Sequence, residues 1–216
     1  MTLITAPRLL HAHLAAALSV LALGACSALH PVPPAPASFY TLDSGNSIAL
    51  APAPAGAATL IVNPPHAAAG YDSSRILYVR SGHKLEYFAN SQWVDPPARM
   101  LAPMLVATLA GSGAFRAVVI TPSAAAADLR LDVEIVRLQQ DFSTQPSNVR
   151  FTLRAYLVDD RSRQVLAWRE FDATVPAASD DPYGGVQAAN LAVQKVLADV
   201  ATFCVEVARK LPPGQG

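Results

Sequence analysis

The chain has 216 residues, with 16 Lys and Arg balancing 16 Asp and Glu, 52% hydrophobic residues and only 15% charged ones. A neutral surface lacks the basic character that displaces counterions from phosphates, which speaks against nucleic-acid binding. No apolar run reaches the roughly 20 residues of a spanning helix, and two cysteines, Cys26 and Cys204, allow one disulfide at most.

Arg8, with His11 and His13 nearby, gives a weakly basic start, and residues 14–23 (LAAALSVLAL) form an apolar segment too short to span a bilayer. It runs directly into Leu23-Gly24-Ala25-Cys26. That tetrapeptide resembles the bacterial lipobox, in which the Cys thiol receives diacylglycerol, cleavage falls before the Cys, and the new amino group is acylated. Residues 1–25 are therefore expected to be a lipoprotein signal peptide and Cys26 the lipidated residue. Two or three acyl chains anchor stably where one does not. Ser27 stands where an Asp would retain the protein in the inner membrane, so an outer-membrane anchor facing the periplasm is expected. Loss of the signal removes Arg8 and no acid, leaving a net charge of −1. Cys204, left without an intramolecular partner, lies in an apolar helical pattern and is expected to be buried as a small hydrophobe.

Four prolines among residues 30–36 favour an extended stretch rising about 3 Å per residue, so residues 26–37 read as lipidated Cys and tether. Residues 38–211 read as one globular domain. The Pro/Ala-rich residues 49–58 suggest a loop on its rim. Residues 38–42 (SFYTL) and 59–62 (TLIV) are short β-rich runs, and residues 76–80 and 84–89 flank Ser81-Gly82-His83 as a hairpin. Asp95-Pro96-Pro97 predicts a helix start with Asp95 as N-cap and Pro at the first helical position. Leu101, Leu105, Thr108 and Leu109 continue it to Gly111 and Gly113, with Pro103 predicting a kink or a second start.

Leu129, Leu131, Val133 and Ile135 alternate with polar residues, as do Val149, Phe151, Leu153, Ala155 and Leu157, so each strand has one buried and one solvated face. A third strand after the turn at 159–163 carries Val165, Ala167, Phe171 and Ala173 on one face. Charge suggests a register: Leu153 opposite Val133 sets Arg154 across from Asp132, and Leu157 opposite Val165 sets Arg150 across from Asp172. Arg169 then falls on the core face, which points to an edge position or a bulge. Val186, Ala189, Val193, Val196, Val200, Phe203 and Val207 recur at spacings of three and four, with Gln187, Gln194, Asp199, Glu206 and Arg209 on the other side. This predicts an amphipathic helix packed on the sheet. Asp180 and Asp181 precede it, where carboxylates suit a helix N-terminus better than catalysis. The expected fold is α+β: a mainly antiparallel sheet with one face covered by two amphipathic helices, at about 96–111 and about 183–210.

Catalytic motifs are missing from the sequence. It has no His-Glu-x-x-His, Cys-x-x-Cys, Gly-x-Ser-x-Gly or Walker pattern, Gly111-Ser112-Gly113 follows a helix rather than opening one, and His30, His66 and His83 fall in predicted loops without metal-ligand spacing. No cofactor, metal or enzymatic activity is expected. The lipobox at Cys26, the Pro-rich tether, Phe39-Tyr40-Thr41-Leu42, Gly70-Tyr71-Asp72-Ser73 and Leu85-Glu86-Tyr87-Phe88-Ala89 with Trp93 together resemble the ABC-type transport auxiliary lipoproteins. The helix from Asp95 to Gly113, the strands from Leu129 and Val149, and the terminal helix complete the resemblance, over residues 38–207. The resemblance implies a non-catalytic periplasmic domain that docks an MCE-domain protein of a Pqi-type lipid transport system at the outer membrane. A different lipid-anchored module, an assembly factor or pilotin, would share the anchor and the lack of chemistry. Exposed loop aromatics suit such docking, which singles out Tyr71, Trp93 and Tyr183, with a place in the core as the favoured alternative for Trp93. A ring-shaped MCE assembly would accept several copies, so a homo-oligomer fits this reading.

Overall fold

The computed structural model describes residues 36–43 and 52–211. The signal peptide, Cys26, His30, most of the tether and residues 44–51 lie outside the described residues, so the anchor and tether stay expectations. Nine strands form one sheet among the described residues: β1 (Ser38–Tyr40), β2 (Thr59–Val62), β3 (His66–Ala67), β4 (Arg75–Val79), β5 (Leu85–Trp93), β6 (Ala117–Ile120), β7 (Leu129–Asp141), β8 (Asn148–Asp159) and β9 (Val165–Pro176). Helices α1 (Pro97–Gly111) and α2 (Pro182–Ala208) join the same hydrophobic core. The fold is α+β, as the hydrophobic periodicities predict.

β7 organises the sheet. One edge carries β8 antiparallel along its whole length, and β8 carries β9 in the same sense. The other edge of β7 is shared in succession by β2, β3 and β4, all parallel to it. β6 adds to β2, while β5 and then β1 add beyond β4. The longest ladders are antiparallel; the short parallel ones add a feature that alternation cannot reveal. β3 and β6 are too short for a periodic signal, and β3 places His66 in a strand opposite Glu134 rather than in a loop.

Leu129, Leu131, Val133 and Ile135 are buried, and a bulge at Val136 then shifts the phase so that Leu138 and Gln140 point inward. The observed register differs by two residues from the one inferred from charge. Leu153 faces Ile135, not Val133, and Leu157 faces Ala167, not Val165. A two-residue shift keeps side chains on their expected faces, with one exception: an extra residue, Leu166, breaks the alternation of β9 and leaves Val165 56% exposed instead of on the covered face with Ala167, Phe171 and Ala173. Charge misleads because the acids of β7 repeat every second residue. The true register sets Arg154 between Glu134, at 3.2 Å, and Glu170, at 2.8 Å. Arg169 lies on the helix-covered side of β9, which among the described residues pairs only with β8. Its guanidinium reaches over the Phe203 ring, 5.0 Å from the centroid, keeping its charge at the rim.

α1 begins at Pro97 with Pro96 as N-cap and no side-chain cap. Asp95 instead pairs with Arg99 one turn on, at 3.2 Å. The helix runs unbroken through Pro103, which sits on the exposed face, where water can take the carbonyl that loses its donor. Leu101, Leu105 and Leu109 bury the opposite stripe. In α2, Val186, Ala189, Val193, Val196, Val200 and Phe203 are all buried. Cys204 is buried too, and desolvation pushes its thiol up to about 12. Gln194 is not a bystander: its amide donates to the Asp43 carbonyl at 3.1 Å. Asn190 holds the same segment, accepting from the Asp43 N–H at 2.6 Å. Residues 41–43 are thus strapped to α2, with Leu42 buried beneath.

Val196 is fully buried while Ala198 is exposed on the same helix. Val196→Asp should therefore lower stability by about 3 kcal/mol or more by burying an unpaired carboxylate, and Ala198→Asp should change it by about 0.5 kcal/mol or less. Urea unfolding of the two variants checks this; equal midpoints would mean that the face assignment is wrong.

Candidate functional site

The end of the sheet where β7 finishes gathers two of the three aromatic candidates, on opposite sides of the strand. Gly70 takes a positive φ of 94°, a conformation other residues avoid, and lets the chain turn so that the Tyr71 N–H donates to the Ala68 carbonyl at 2.9 Å. The Tyr71 hydroxyl donates to Gln139 Oε1, which fixes the half-buried ring against β7. The next residue of β7, Gln140, points the other way and meets α2: its amide nitrogen donates to Ser147 Oγ at 2.9 Å and toward the Asp181 carbonyl at 3.4 Å.

Tyr183 stands in the first turn of α2, 57% exposed, with its ring centroid 6.4 Å from that of Tyr40. Two aspartates set its position. Asp181 is the N-cap, its carboxylate accepting the Gly184 N–H at 2.7 Å. Asp180 does different work, accepting the Ser147 N–H at 2.7 Å and tying the β7–β8 turn to the helix start. Hydrogen bonds from Gly184 and Ser179 hold the Asp181 carboxyl below its usual range, and those from Ser147 do the same for Asp180. Trp93 differs from both tyrosines. It closes β5, is 4% exposed and belongs to the core, so it cannot contact a partner as a loop aromatic would.

A surface groove of about 480 Å³ adjoins Tyr71, lined by Gly70, Asp72, Ser73, Arg75, Leu77, Leu85 and Tyr87. The Arg75 guanidinium lies 4.1 Å above the Tyr87 ring. Sequence reasoning assigned residues 84–89 to a hairpin strand and overlooked this groove. The alternation of Leu85 and Tyr87 marks a face but not whether anything covers it. The solvated sheet face, by contrast, carries many pairs of its own. Arg130 meets Asp132 at 3.3 Å and Asp160 at 3.1 Å, Arg154 spans two glutamates, and Thr152 donates to Asp172 at 2.6 Å. Among the described residues no group of three or more His, Cys, Asp or Glu could hold a metal ion, and no helix is long and apolar enough to cross a membrane.

The sequence model for "ABC-type transport auxiliary lipoprotein component" matches residues 40–201. A Xanthomonas campestris protein of the DUF330 family has a similar structure, with a TM-score of 0.70 at 24% identity over 81% of this chain and 98% of its own. A second solved structure, of an uncharacterized protein, gives 0.62 at 16% identity over 79% and 99%. At such identities these likenesses speak to the fold alone. Among proteins with curated descriptions, none matches this chain.

The capping aspartates make the Tyr183 turn sensitive to acid. Because their folded-state values lie below the unfolded ones, the stability they add is complete above about pH 4 and is lost as pH falls through the folded values. Melting temperature should therefore drop less steeply below that pH in an Asp180→Asn, Asp181→Asn double variant than in the wild type. Parallel profiles would remove these two groups from the pH response.

Proposed function

The chain belongs to the ABC-type transport auxiliary lipoprotein component family, and from that premise we propose that it is a lipid-anchored accessory subunit that docks an MCE-domain protein of an intermembrane lipid transport system at the outer membrane. The observation that carries the reading is the family match, which runs from the end of β1 through most of α2. The family is one of transport auxiliary components and not a known enzyme family, in keeping with action by binding. The anchor is Cys26. With Ser27 behind it, the acylated chain is sorted to the outer membrane and the domain faces the periplasm. The docking surface includes Tyr71 and Tyr183, which combine large contact area with few side-chain torsions to immobilise.

Two experiments test this. In cells fed a clickable fatty acid, the wild type should be labelled and recovered with outer membranes, and Cys26→Ala should lose the label. Undiminished labelling of the variant would refute the anchor, and recovery of the wild type only in inner membranes would refute the sorting. Separately, the soluble domain, residues 27–216, should capture the periplasmic part of the MCE protein encoded beside it. A Tyr71→Ala, Tyr183→Ala double variant that keeps a cooperative melt should lose at least about tenfold in affinity, a difference of about 1.4 kcal/mol. Absence of wild-type binding at tens of micromolar would refute docking.

A further inference from the structure

β5 pairs with β4 on one edge and with β1 on the other, but β1 covers only residues 91–93. Among the described residues, the outer edge of residues 85–90 has no strand beside it. Such an edge offers unpaired backbone donors and acceptors, and proteins ordinarily blunt it with charges, prolines or a covering element. The long edge at β9 is blunted in this way. It carries Arg169 on its covered side, Glu170 and Asp172 on the other, and ends in Pro176. The open stretch of β5 is Leu-Glu-Tyr-Phe-Ala-Asn, with no proline and a single charge, Glu86, already paired with Lys84 at 2.8 Å. Leu85, Tyr87, Ala89 and Asn90 on it are exposed.

The groove beside Tyr71 runs along this stretch, since Leu85 and Tyr87 form part of its wall. Arg75, which lines it, enters none of the ion pairs formed among the described residues, and its charge is only cushioned by the Tyr87 ring. The site therefore offers three things together: open backbone groups in a row, an apolar wall of Leu77, Leu85 and Tyr87, and one unpaired guanidinium. A small molecule would leave the row of backbone groups unmatched. An extended peptide matches all three, and β1 shows that this edge takes a strand parallel to β5.

We infer that the outer edge of β5 and the adjoining groove bind an extended segment of the docked transport subunit by strand addition. The segment places one carboxylate on Arg75 and an apolar side chain on Leu77, Leu85 and Tyr87. Asp72, on the same groove, disfavours a run of acids and so selects for a single one. This inference rests on the docking reading and deepens it by stating the chemistry of the partner's contact.

The test uses the full-length lipoprotein co-expressed with the MCE subunit, carrying the photocrosslinking residue p-benzoylphenylalanine in place of Ala89 or, as a control, in place of Trp168 on β9. Irradiation should join position 89 to one extended segment of the MCE subunit, and position 168 should give no such product. Arg75→Glu, which removes an exposed side chain, should keep the wild-type melt and weaken capture about tenfold, and changing the carboxylate of the crosslinked segment to Arg should restore it. Capture of the MCE subunit without a crosslink from position 89 would overturn the inference and leave docking standing. A crosslink from position 89 to a second copy of this chain would overturn it in favour of self-association. Absence of both capture and crosslink would overturn docking and this inference together.

Discussion

Burying a side-chain amide is costly unless its polar atoms find partners, and Gln140, 2% exposed, is buried at the point where the sheet meets α2. Its nitrogen joins the β7–β8 turn through Ser147 to the helix cap through Asp181. Its oxygen has no hydrogen-bond partner among the described residues and lies where a Cβ on residue 185 would intrude, so that position is Gly185. Gly184 is required by the same logic, because a Cβ there would meet Ser179. The bulge at Val136 aims Gln140 inward; without it the amide would fall on the solvated face and Gln139 on the covered one. One extra residue in β7 thus sets where α2 starts and hence where Tyr183 emerges, while the neighbouring Gln139 holds Tyr71 on the opposite side.

Strong periodicity was legible from residues alone. The alternating strands at 129–135 and 149–157, the hairpin around Gly82 and the long terminal helix all reflect apolar spacing that any packed sheet and helix must obey. What periodicity cannot carry is phase beyond a bulge, pairing between distant strands, and the register of a charge pattern that itself repeats every two residues. Arg154 illustrates the last point: its preference for an acid is satisfied in either register, and only packing chooses Glu134 over Asp132. The N-cap of α1 failed for a related reason. Asp95 has the right chemistry but stands one residue too early, and Arg99 a turn later takes its carboxylate.

The candidate site was legible only in its residue types. Tyr71 and Tyr183 sit near turns, and turns are where aromatic side chains lack a core to enter. Trp93 shares that sequence context, yet it pairs through β5 with Tyr40 and enters the core between sheet and helix. The difference is one of strand length: β5 runs to its ninth residue before turning, which carries Trp93 inside. Arg75 and Tyr87 carried no signal because their juxtaposition is made across a hairpin whose register shifts between Arg75 and Leu77.

The faces and the open edges of this sheet are treated unequally, and that inequality bears on function. The helix face is filled, and on the opposite face of β7, β8 and β9 most of the charges pair with one another. An arginine held between two glutamates gains little from an outside anion, because a newcomer must displace a partner already in place. The β9 edge is guarded by charge and ended by proline, which keeps it from pairing adventitiously. Among the described residues, the outer edge of β5, with an unpaired arginine and an apolar wall, has none of these protections. An unguarded edge is an aggregation hazard to a free protein, and the hazard falls when a partner strand occupies it. Tyr71 adjoins this edge through the groove that begins at Gly70, while Tyr183 emerges on the opposite side of β7. An open strand edge beside an apolar wall fits the docking role proposed for this chain, because an added strand would satisfy the backbone groups and cover the wall at once.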